Sequence, residues 1–137
     1  MDVKRAFLHG PCTRSIYIEL PGAESERGGY VGKFVRALYG TRAAPLAWKT
    51  VVKSVMKDMG FDECNVTNGV FTHRDRDLRA VARVDEFLCS GERYDILWFR
   101  DQMLKKYELK VLIVGWDRED AKELSSLGRV IRTIPRV

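Results

Sequence analysis

The sequence has no long hydrophobic run. Its longest strongly apolar stretch, Val111 to Val114, is far shorter than the ~20 residues that a membrane-spanning helix needs. The opening residues, Met1 to Arg5, are not followed by the apolar segment that a secretory signal requires. We therefore expect a soluble protein that has no membrane partner and is not secreted.

Cysteine and histidine are also scarce. The three cysteines, Cys12, Cys64 and Cys89, are scattered and odd in number, which argues against a disulfide framework and favours a reducing intracellular compartment. His9 and Cys12 have the spacing of two metal ligands, but His73 and the other cysteines do not form a second pair, so zinc is not expected. The short motifs of P-loop enzymes, serine hydrolases and zinc proteases are missing as well.

Acidic residues are few in the first part of the chain. The 137 residues carry 24 Lys and Arg against 19 Asp and Glu, a net charge of +5. Residues 1–60 hold ten basic and five acidic side chains, whereas residues 61–137 hold fourteen of each. A localised basic field suits nucleic acid or a nucleotide phosphate, and an ordinary solvated basic surface is the alternative interpretation. With 45% apolar residues the chain is expected to form one domain with a real core.

Hydrophobic periodicity predicts an α+β fold, with a mainly antiparallel sheet and helices on one face. A loop is expected at residues 22–29. Period-two patterns and short apolar runs predict strands at Ser15–Leu20, Tyr30–Arg36, Gly69–Thr72, Arg79–Val84, Phe87–Cys89, Leu109–Val114 and Arg129–Ile134. Helices are predicted at Pro45–Gly60, Arg93–Tyr107 and Glu119–Ser125.

The helix predicted at Pro45–Gly60 carries two stripes. Its apolar residues, from Trp48 to Met59, follow the spacing of a buried face. Lys49, Lys53 and Lys57 follow one another four residues apart on another face. Such a row is typical of a solvated helix surface, and beside nucleic acid it forms a track for phosphates, so the pattern leaves both interpretations open.

Two adjacent carboxylates, Asp85 and Glu86, lie in the bend predicted between two apolar strands. Unpaired carboxylates in such a place repel each other and resist desolvation. A divalent cation relieves both costs, and Mg²⁺ is commonly bound by a few carboxylates together with substrate phosphates. An ordinary exposed acidic turn is the alternative.

Several blocks of the sequence resemble, in the same order, the motifs of copia-type retrotransposon reverse transcriptases. The blocks are residues 2–10 (DVKRAFLHG) with 16–21 (IYIELP), 37–48 (ALYGTRAAPLAW) and 84–91 (VDEFLCSG), with weaker similarity at 105–110 and 127–131. The resemblance covers nearly the whole chain. Glu86 stands where the family usually carries a second aspartate, Arg83 replaces a usual aromatic residue, and Ala43 stands where many members have glutamine.

The resemblance implies a truncated polymerase palm and RNA-directed DNA polymerase chemistry. It implies that Asp2, Asp85 and Glu86, with the Val3 carbonyl, bind two Mg²⁺ ions, for which Mn²⁺ is a possible substitute. These ions assist transfer of a nucleotide from a dNTP to the primer 3′-hydroxyl. The implied nucleotide-binding residues are Val3, Arg5, Ala6, Phe7, Tyr39 and Gly40. The implied nucleic-acid contacts are Lys49, Lys53 and Lys57.

The resemblance also implies the partners: an RNA or DNA template with its primer, a dNTP, and the rest of the retrotransposon polyprotein. Residues 1–137 are expected to form a single palm domain that lacks the fingers, a full thumb and the RNase H domain. The isolated fragment is therefore expected to be inactive. A remnant that binds nucleic acid without catalysis is the alternative function.

Overall fold

The computed structural model of the chain describes residues 1–22 and 28–134. Most of the loop expected at residues 22–29 lies outside the described residues. The helices are α1 (Ala44–Asp58) and α2 (Arg93–Leu104), with a 3-10 turn at Ala6–His9. The strands are β1 (Asp2–Val3), β2 (Tyr17–Glu19), β3 (Val31–Lys33), β4 (Phe61–Glu63), β5 (Val70–His73), β6 (Leu78–Arg83), β7 (Glu86–Gly91), β8 (Leu109–Lys110), β9 (Glu123–Ser126) and β10 (Arg129–Arg132).

Six of these strands form one sheet in the order β4-β5-β6-β7-β1-β8, and every neighbouring pair is antiparallel. β2 pairs with β3, and β9 pairs with β10, as separate two-stranded ribbons. The order inserts β1, from the beginning of the chain, between strands that come more than eighty residues later. This insertion positions the candidate site.

Both helices pack on the same face of the large sheet. Alternate residues of β6, Leu78 and Ala80, point into the core, where they join Trp48 of α1 and Phe99 of α2 in one buried cluster. Because successive strand residues point to opposite faces, the other face of the sheet is free of these helices. The predicted α+β class and the predicted mainly antiparallel sheet are confirmed, whereas the likeness to a polymerase palm stays a prediction.

Helix α1 confirms the stripe predicted from the sequence. Pro45 lies in its first turn, where the missing N–H costs nothing. Trp48, Val52 and Met56, four residues apart, are buried against the sheet. The helix ends just before Gly60, whose φ of +91° is a backbone conformation that glycine adopts without strain. No helix in the described part of the chain is long and apolar enough to cross a membrane.

The third predicted helix, Glu119–Ser125, is wrong. Its second half forms β9, which pairs with β10 through the two-residue turn Leu127-Gly128. Both turn residues have positive φ, +54° and +72°, the geometry that matches the twist of a tight hairpin. The strand predicted at Leu109–Val114 is confined to Leu109–Lys110, and the short strand β4 has no counterpart among the predicted strands.

Candidate active site

The candidate site is built around the turn that connects β6 and β7. Arg83 pairs with Glu86 across this hairpin, so the turn consists of Val84 and Asp85 alone. The prediction that Glu86 shares the bend with Asp85 is therefore wrong, because Glu86 is the first residue of β7. Val84 has a φ of +55°, which is rare for a β-branched residue. Asp85 therefore lies at the end of the sheet, directly after the strained residue Val84.

Strand β1 brings Asp2 to this turn. Asp2 lies directly opposite Glu86 in the antiparallel ladder. The backbone N–H of Val3 donates to the Asp85 carbonyl oxygen at 2.8 Å, and the N–H of Phe87 donates to the Met1 carbonyl oxygen at 2.7 Å. These flanking bonds make Asp2 and Glu86 a non-hydrogen-bonded pair, the closer kind, with Cα atoms about 4.5 Å apart in regular sheets. Two acidic side chains therefore stand side by side.

The two carboxylates lie on the sheet face opposite the helices. Val3 and Phe87, the next residues along each strand, are buried in the core, so Asp2 and Glu86 point the other way. Like charges placed directly opposite each other destabilise a sheet pair, and a cation relieves this repulsion. The β9–β10 hairpin reaches the same face, where the Ser126 hydroxyl donates to Glu86 Oε2 at 3.2 Å.

A groove of about 560 Å³ runs between the sheet and the β9–β10 hairpin, and Asp2 and Glu86 line it together with Lys110 and Arg132. Within residues 1–22 and 28–134, no three His, Cys, Asp or Glu side chains are placed to hold a metal ion by themselves. The hard carboxylate oxygens of Asp2 and Glu86 are nevertheless the ligand type that Mg²⁺ prefers. Mg²⁺ usually completes its shell with water and substrate phosphates. The donor set therefore fits an ion that arrives with a nucleotide.

Trp48 contacts the same turn from the helix side. Its indole N–H donates to the Val84 carbonyl oxygen, although its side chain belongs to the core and is only 2% exposed. The Trp48 ring meets the Tyr107 ring edge-on, with centroids 5.6 Å apart. The sequence pattern places Trp48 in the core stripe but does not indicate this hydrogen bond, because a contact between residues 36 apart leaves no periodic signal.

Two residues expected to bind the nucleotide are in contact with each other. The rings of Phe7 and Tyr39 stack with centroids 4.5 Å apart and an interplanar angle of 30°. Tyr39 is 46% exposed, and Gly40 follows it with a φ of +88°. The 3-10 turn and the loop before α1 thus form one aromatic surface, and its binding of a nucleotide stays a prediction.

The segment between β1 and the 3-10 turn is more constrained than the sequence predicts. Ala6 is fully buried, backbone included, so the structure leaves none of its surface available to a nucleotide. Arg5 has a φ of +55°, and its guanidinium donates to Glu108 at 3.0 Å. The hydrogen bond from Lys4, followed by that from Arg5, lowers the pKa of Glu108. Glu108 therefore competes with a phosphate for the Arg5 charge.

The three lysines of α1 are not equivalent. Lys53 forms an ion pair with Glu63 of β4, Nζ to Oε2 at 2.7 Å, whereas Lys49 and Lys57 are exposed. Burial opposes ionisation of Glu63, but the hydrogen bonds from Lys53 and from the Gly69 N–H outweigh it and lower the pKa of Glu63. No sequence pattern predicts this ion pair, because none predicts the strand β4 that carries Glu63. Lys49 and Lys53 line a cavity of about 270 Å³ beside Phe7 and Val84.

The antiparallel sheet thus has helices on one face and a pair of strand-borne carboxylates on the other. Comparison with known proteins defines the class. The family model described as "Reverse transcriptase (RNA-dependent DNA polymerase)" matches residues 1–115. The chain belongs to this family, and its curated relatives are retrotransposon polyproteins of the copia type.

The relatives are much longer than this chain. The Retrovirus-related Pol polyprotein from transposon RE2 of Arabidopsis thaliana is 26% identical over 99% of this chain and 9% of the relative. The corresponding RE1 polyprotein is 36% identical over 44% of this chain and 4% of the relative. The transposon Ty5-1 protein YCL074W of Saccharomyces cerevisiae is 29% identical over 82% of this chain and 38% of the relative. No solved structure matches the chain.

Proposed function

We propose that the chain is the palm region of a retrotransposon RNA-directed DNA polymerase, in which Asp2 and Asp85 are the principal catalytic carboxylates and Glu86 assists them. The observation that carries the proposal is the pairing of β1 with β7, which sets Asp2 opposite Glu86 and bonds Val3 to the Asp85 carbonyl. Residues 84 positions apart in the sequence are thereby brought together on one sheet face. Membership in the reverse transcriptase family supports the same assignment.

The reaction proposed is nucleotidyl transfer. The primer 3′-hydroxyl oxygen forms a bond to the α-phosphorus of the dNTP, the bond to the bridging oxygen of the β-phosphate breaks, pyrophosphate leaves, and the hydroxyl proton passes to solvent. Asp2, Asp85 and Glu86, with the Val3 carbonyl, would hold magnesium ions, which supply positive charge at the reacting phosphate when they are bound. Asp2 and Glu86 orient this charge beside the groove that they line.

Other residues of the chain act on the substrates. The Phe7 ring, held against Tyr39, offers a flat apolar wall for the sugar, which favours a deoxyribose over a ribose that carries a 2′-hydroxyl. The backbone at Arg5, an exposed residue, approaches the triphosphate. Lys49 and Lys57 contribute exposed positive charge for the template or primer backbone. RNA or DNA template, primer, dNTP and the remaining polyprotein are the proposed partners.

The test places this chain in its proposed context, because the chain spans only 9% of the RE2 polyprotein. Residues 1–137 replace the matched segment of that polyprotein, and Mg²⁺-dependent extension of a primer on an RNA template is measured. We expect extension by the chimera and its loss in the Asp2→Asn and Asp85→Asn variants. Asp75→Asn, an exposed turn residue far from β1 in the ladder, is the matched control.

Two outcomes contradict the proposal. If Asp85→Asn extends primers as fast as the unsubstituted chimera, Asp85 is not catalytic. If the chimera binds template-primer as tightly as the RE2 polyprotein does but never extends it, the chain is the non-catalytic nucleic-acid-binding remnant instead.

A further inference from the structure

We propose that Trp48 is a positioning residue that holds the Val84-Asp85 turn in its strained conformation through the indole N–H. The inference rests on the proposed function, because the turn has to hold Asp85 in one place for catalysis. Trp48 is a core residue of α1. It acts through the Val84 carbonyl, to which its N–H donates.

The residue at the first position of the turn, Val84, is poorly suited to the backbone conformation found there. Only the first of the two turn residues has positive φ, so this is the hairpin turn that ordinarily places glycine at that position. Valine, with two heavy atoms on Cβ, is among the residues least suited to this region. Left-handed backbone at such a residue persists only when its surroundings over-determine it.

Two anchors supply that constraint from opposite directions. The Val3 N–H donates to the Asp85 carbonyl oxygen from β1, and the Trp48 indole donates to the Val84 carbonyl oxygen from α1. In the part of the chain that the structure describes, Trp48 is the one side chain that hydrogen-bonds to the backbone of this turn. Each carbonyl of the turn therefore has its own donor.

The indole donor is fixed in place by its packing. Trp48 is 2% exposed and packs edge-on against Tyr107. A buried indole N–H needs an acceptor, because leaving it unpaired costs the full desolvation penalty of the group. The buried indole N–H of Trp48 therefore needs the Val84 carbonyl oxygen as its acceptor. The same hydrogen bond fixes the Val84 carbonyl in the position that the strained turn gives it.

The test is a double-mutant cycle on the 137-residue chain. Trp48→Phe keeps an aromatic ring and removes the donor, and Val84→Gly removes the strain. We expect Trp48→Phe to lower the denaturant midpoint of the chain, and to lower it less when position 84 is glycine, because glycine adopts the turn without help. Trp116→Phe makes the same chemical change at a residue that is 60% exposed and is the matched control.

Equal decreases of the midpoint in the valine and glycine backgrounds would overturn the proposal. If Trp48→Phe does not fold, Val84→Gly is compared with Val66→Gly, the same exchange at an exposed valine whose φ is not positive. A higher midpoint for Val84→Gly than for Val66→Gly supports a strained turn, and an equal or lower midpoint contradicts one. This cycle needs no catalysis, so it stands even if the chimera with the RE2 polyprotein proves inactive.

The activity arm uses that chimera. Trp48→Phe is expected to lower kcat for primer extension about tenfold, to leave the KM for dNTP unchanged, and to recover part of the missing kcat when combined with Val84→Gly. If Trp48→Phe has an unchanged kcat while Asp85→Asn is inactive, Trp48 is not a positioning residue. The proposed function would still stand in that case. Failure of the unsubstituted chimera to extend primers would reject the function alone.

Discussion

Glu86 carries its carboxylate one methylene farther from the strand than an aspartate would, a displacement of about 1.5 Å. Opposite it stands the shorter Asp2, and the two share the close, non-hydrogen-bonded register of the β1–β7 pair. The longer side chain reaches past this position and accepts a hydrogen bond from Ser126 of the β9–β10 hairpin. Its length therefore determines whether the carboxylate lies beside Asp2 or against the hairpin.

We predict that Glu86→Asp raises primer extension by the chimera ~10- to 100-fold, equivalent to about 1.4–2.7 kcal/mol of barrier. The shorter side chain releases Ser126 and sets the carboxylate beside Asp2. Single-turnover rates check the prediction, with template-primer affinity measured in parallel and expected to stay the same. Glu119→Asp, an exposed residue beyond α2, is the control. Equal rates for Glu86 and aspartate would show that the longer side chain is harmless.

At the scale of elements, the β9–β10 hairpin contains a residue poorly suited to its turn. Leu127 has a φ of +54°, followed by Gly128 at +72°. Asparagine tolerates this backbone far better than leucine, and Asn-Gly is a preferred pair for such turns. We predict that Leu127→Asn raises the free energy of unfolding by about 0.5–1 kcal/mol, measured by urea denaturation.

The control for the hairpin is Leu112→Asn, the same exchange at an exposed leucine whose φ is not positive. If both substitutions change the free energy of unfolding equally, the gain comes from surface polarity and the turn is not strained.

The ion pair between Lys53 and Glu63 connects α1 to β4. Because the pKa of Glu63 lies below its ordinary value of 4.5 in the folded chain, the pair stabilises the fold above that value and loses its effect as pH falls through the lowered pKa. We predict that Glu63→Gln lowers the free energy of unfolding by about 1 kcal/mol at pH 7, and by much less at pH 3. Urea denaturation at the two pH values measures the difference.

A decrease that is the same at both pH values would mean that Glu63 acts through packing or through neutral hydrogen bonding. Asp62→Asn tests the neighbouring exposed ion pair with Arg74, whose members are both more than half exposed. The smaller effect expected there provides the comparison.

These elements also show what a sequence can and cannot predict. The stripe of α1 repeats over four turns, so its periodicity fixes the helix almost to the residue. Strand β4 has only three residues, too few to show a hydrophobic period. The charged residues around Glu123–Ser126 are compatible with a helix as well as a strand, and only the pairing with β10 makes this segment a strand. Local sequence patterns therefore predict elements such as α1, which are stabilised mainly by their own residues. Short strands form only by pairing with distant strands, so local patterns do not predict them.

The candidate site divides in the same way. Asp2 and Asp85 are assigned from motifs that the sequence displays directly, and their roles remain a prediction. The bonds from Trp48 to Val84 and from Lys53 to Glu63 connect residues that no motif associates. Contacts of this kind depend on where whole elements lie, and a single sequence does not contain that information.

At the scale of the whole molecule, fewer basic side chains are free to bind phosphate than the net charge of +5 indicates. Lys53 and Arg5 are each paired with a glutamate, whereas Lys49 and Lys57 are exposed. Removal of one lysine–phosphate interaction lowers the slope of log K against log salt by about 0.7–0.9. We predict that Lys49→Gln and Lys57→Gln each lower this slope for template-primer binding by that amount, and that Lys53→Gln lowers it by less than half as much.

Fluorescence anisotropy over a series of salt concentrations measures the slopes for the 137-residue chain. Lys122→Gln is the control, because this lysine donates to backbone carbonyls in the Gly115–Asp117 turn. Equal slopes for all four variants and the unsubstituted chain would mean that α1 does not contact the phosphate backbone.

The sheet order has a consequence for how the protein is made. β1 pairs on one side with Glu86 and on the other with Leu109 and Lys110, so neither partner exists when Asp2 and Val3 leave the ribosome. At ~5–20 residues per second, roughly 5–20 s of synthesis separate β1 from its second partner. During that interval α1 and the β5–β6–β7 strands have time to assemble, and the free edge of β7 is where β1 pairs. Asp2, on which catalysis is proposed to depend, therefore reaches its place only after β7 has been made, and a ribosome that stalls before Glu86 leaves a nascent chain in which the site is not yet complete.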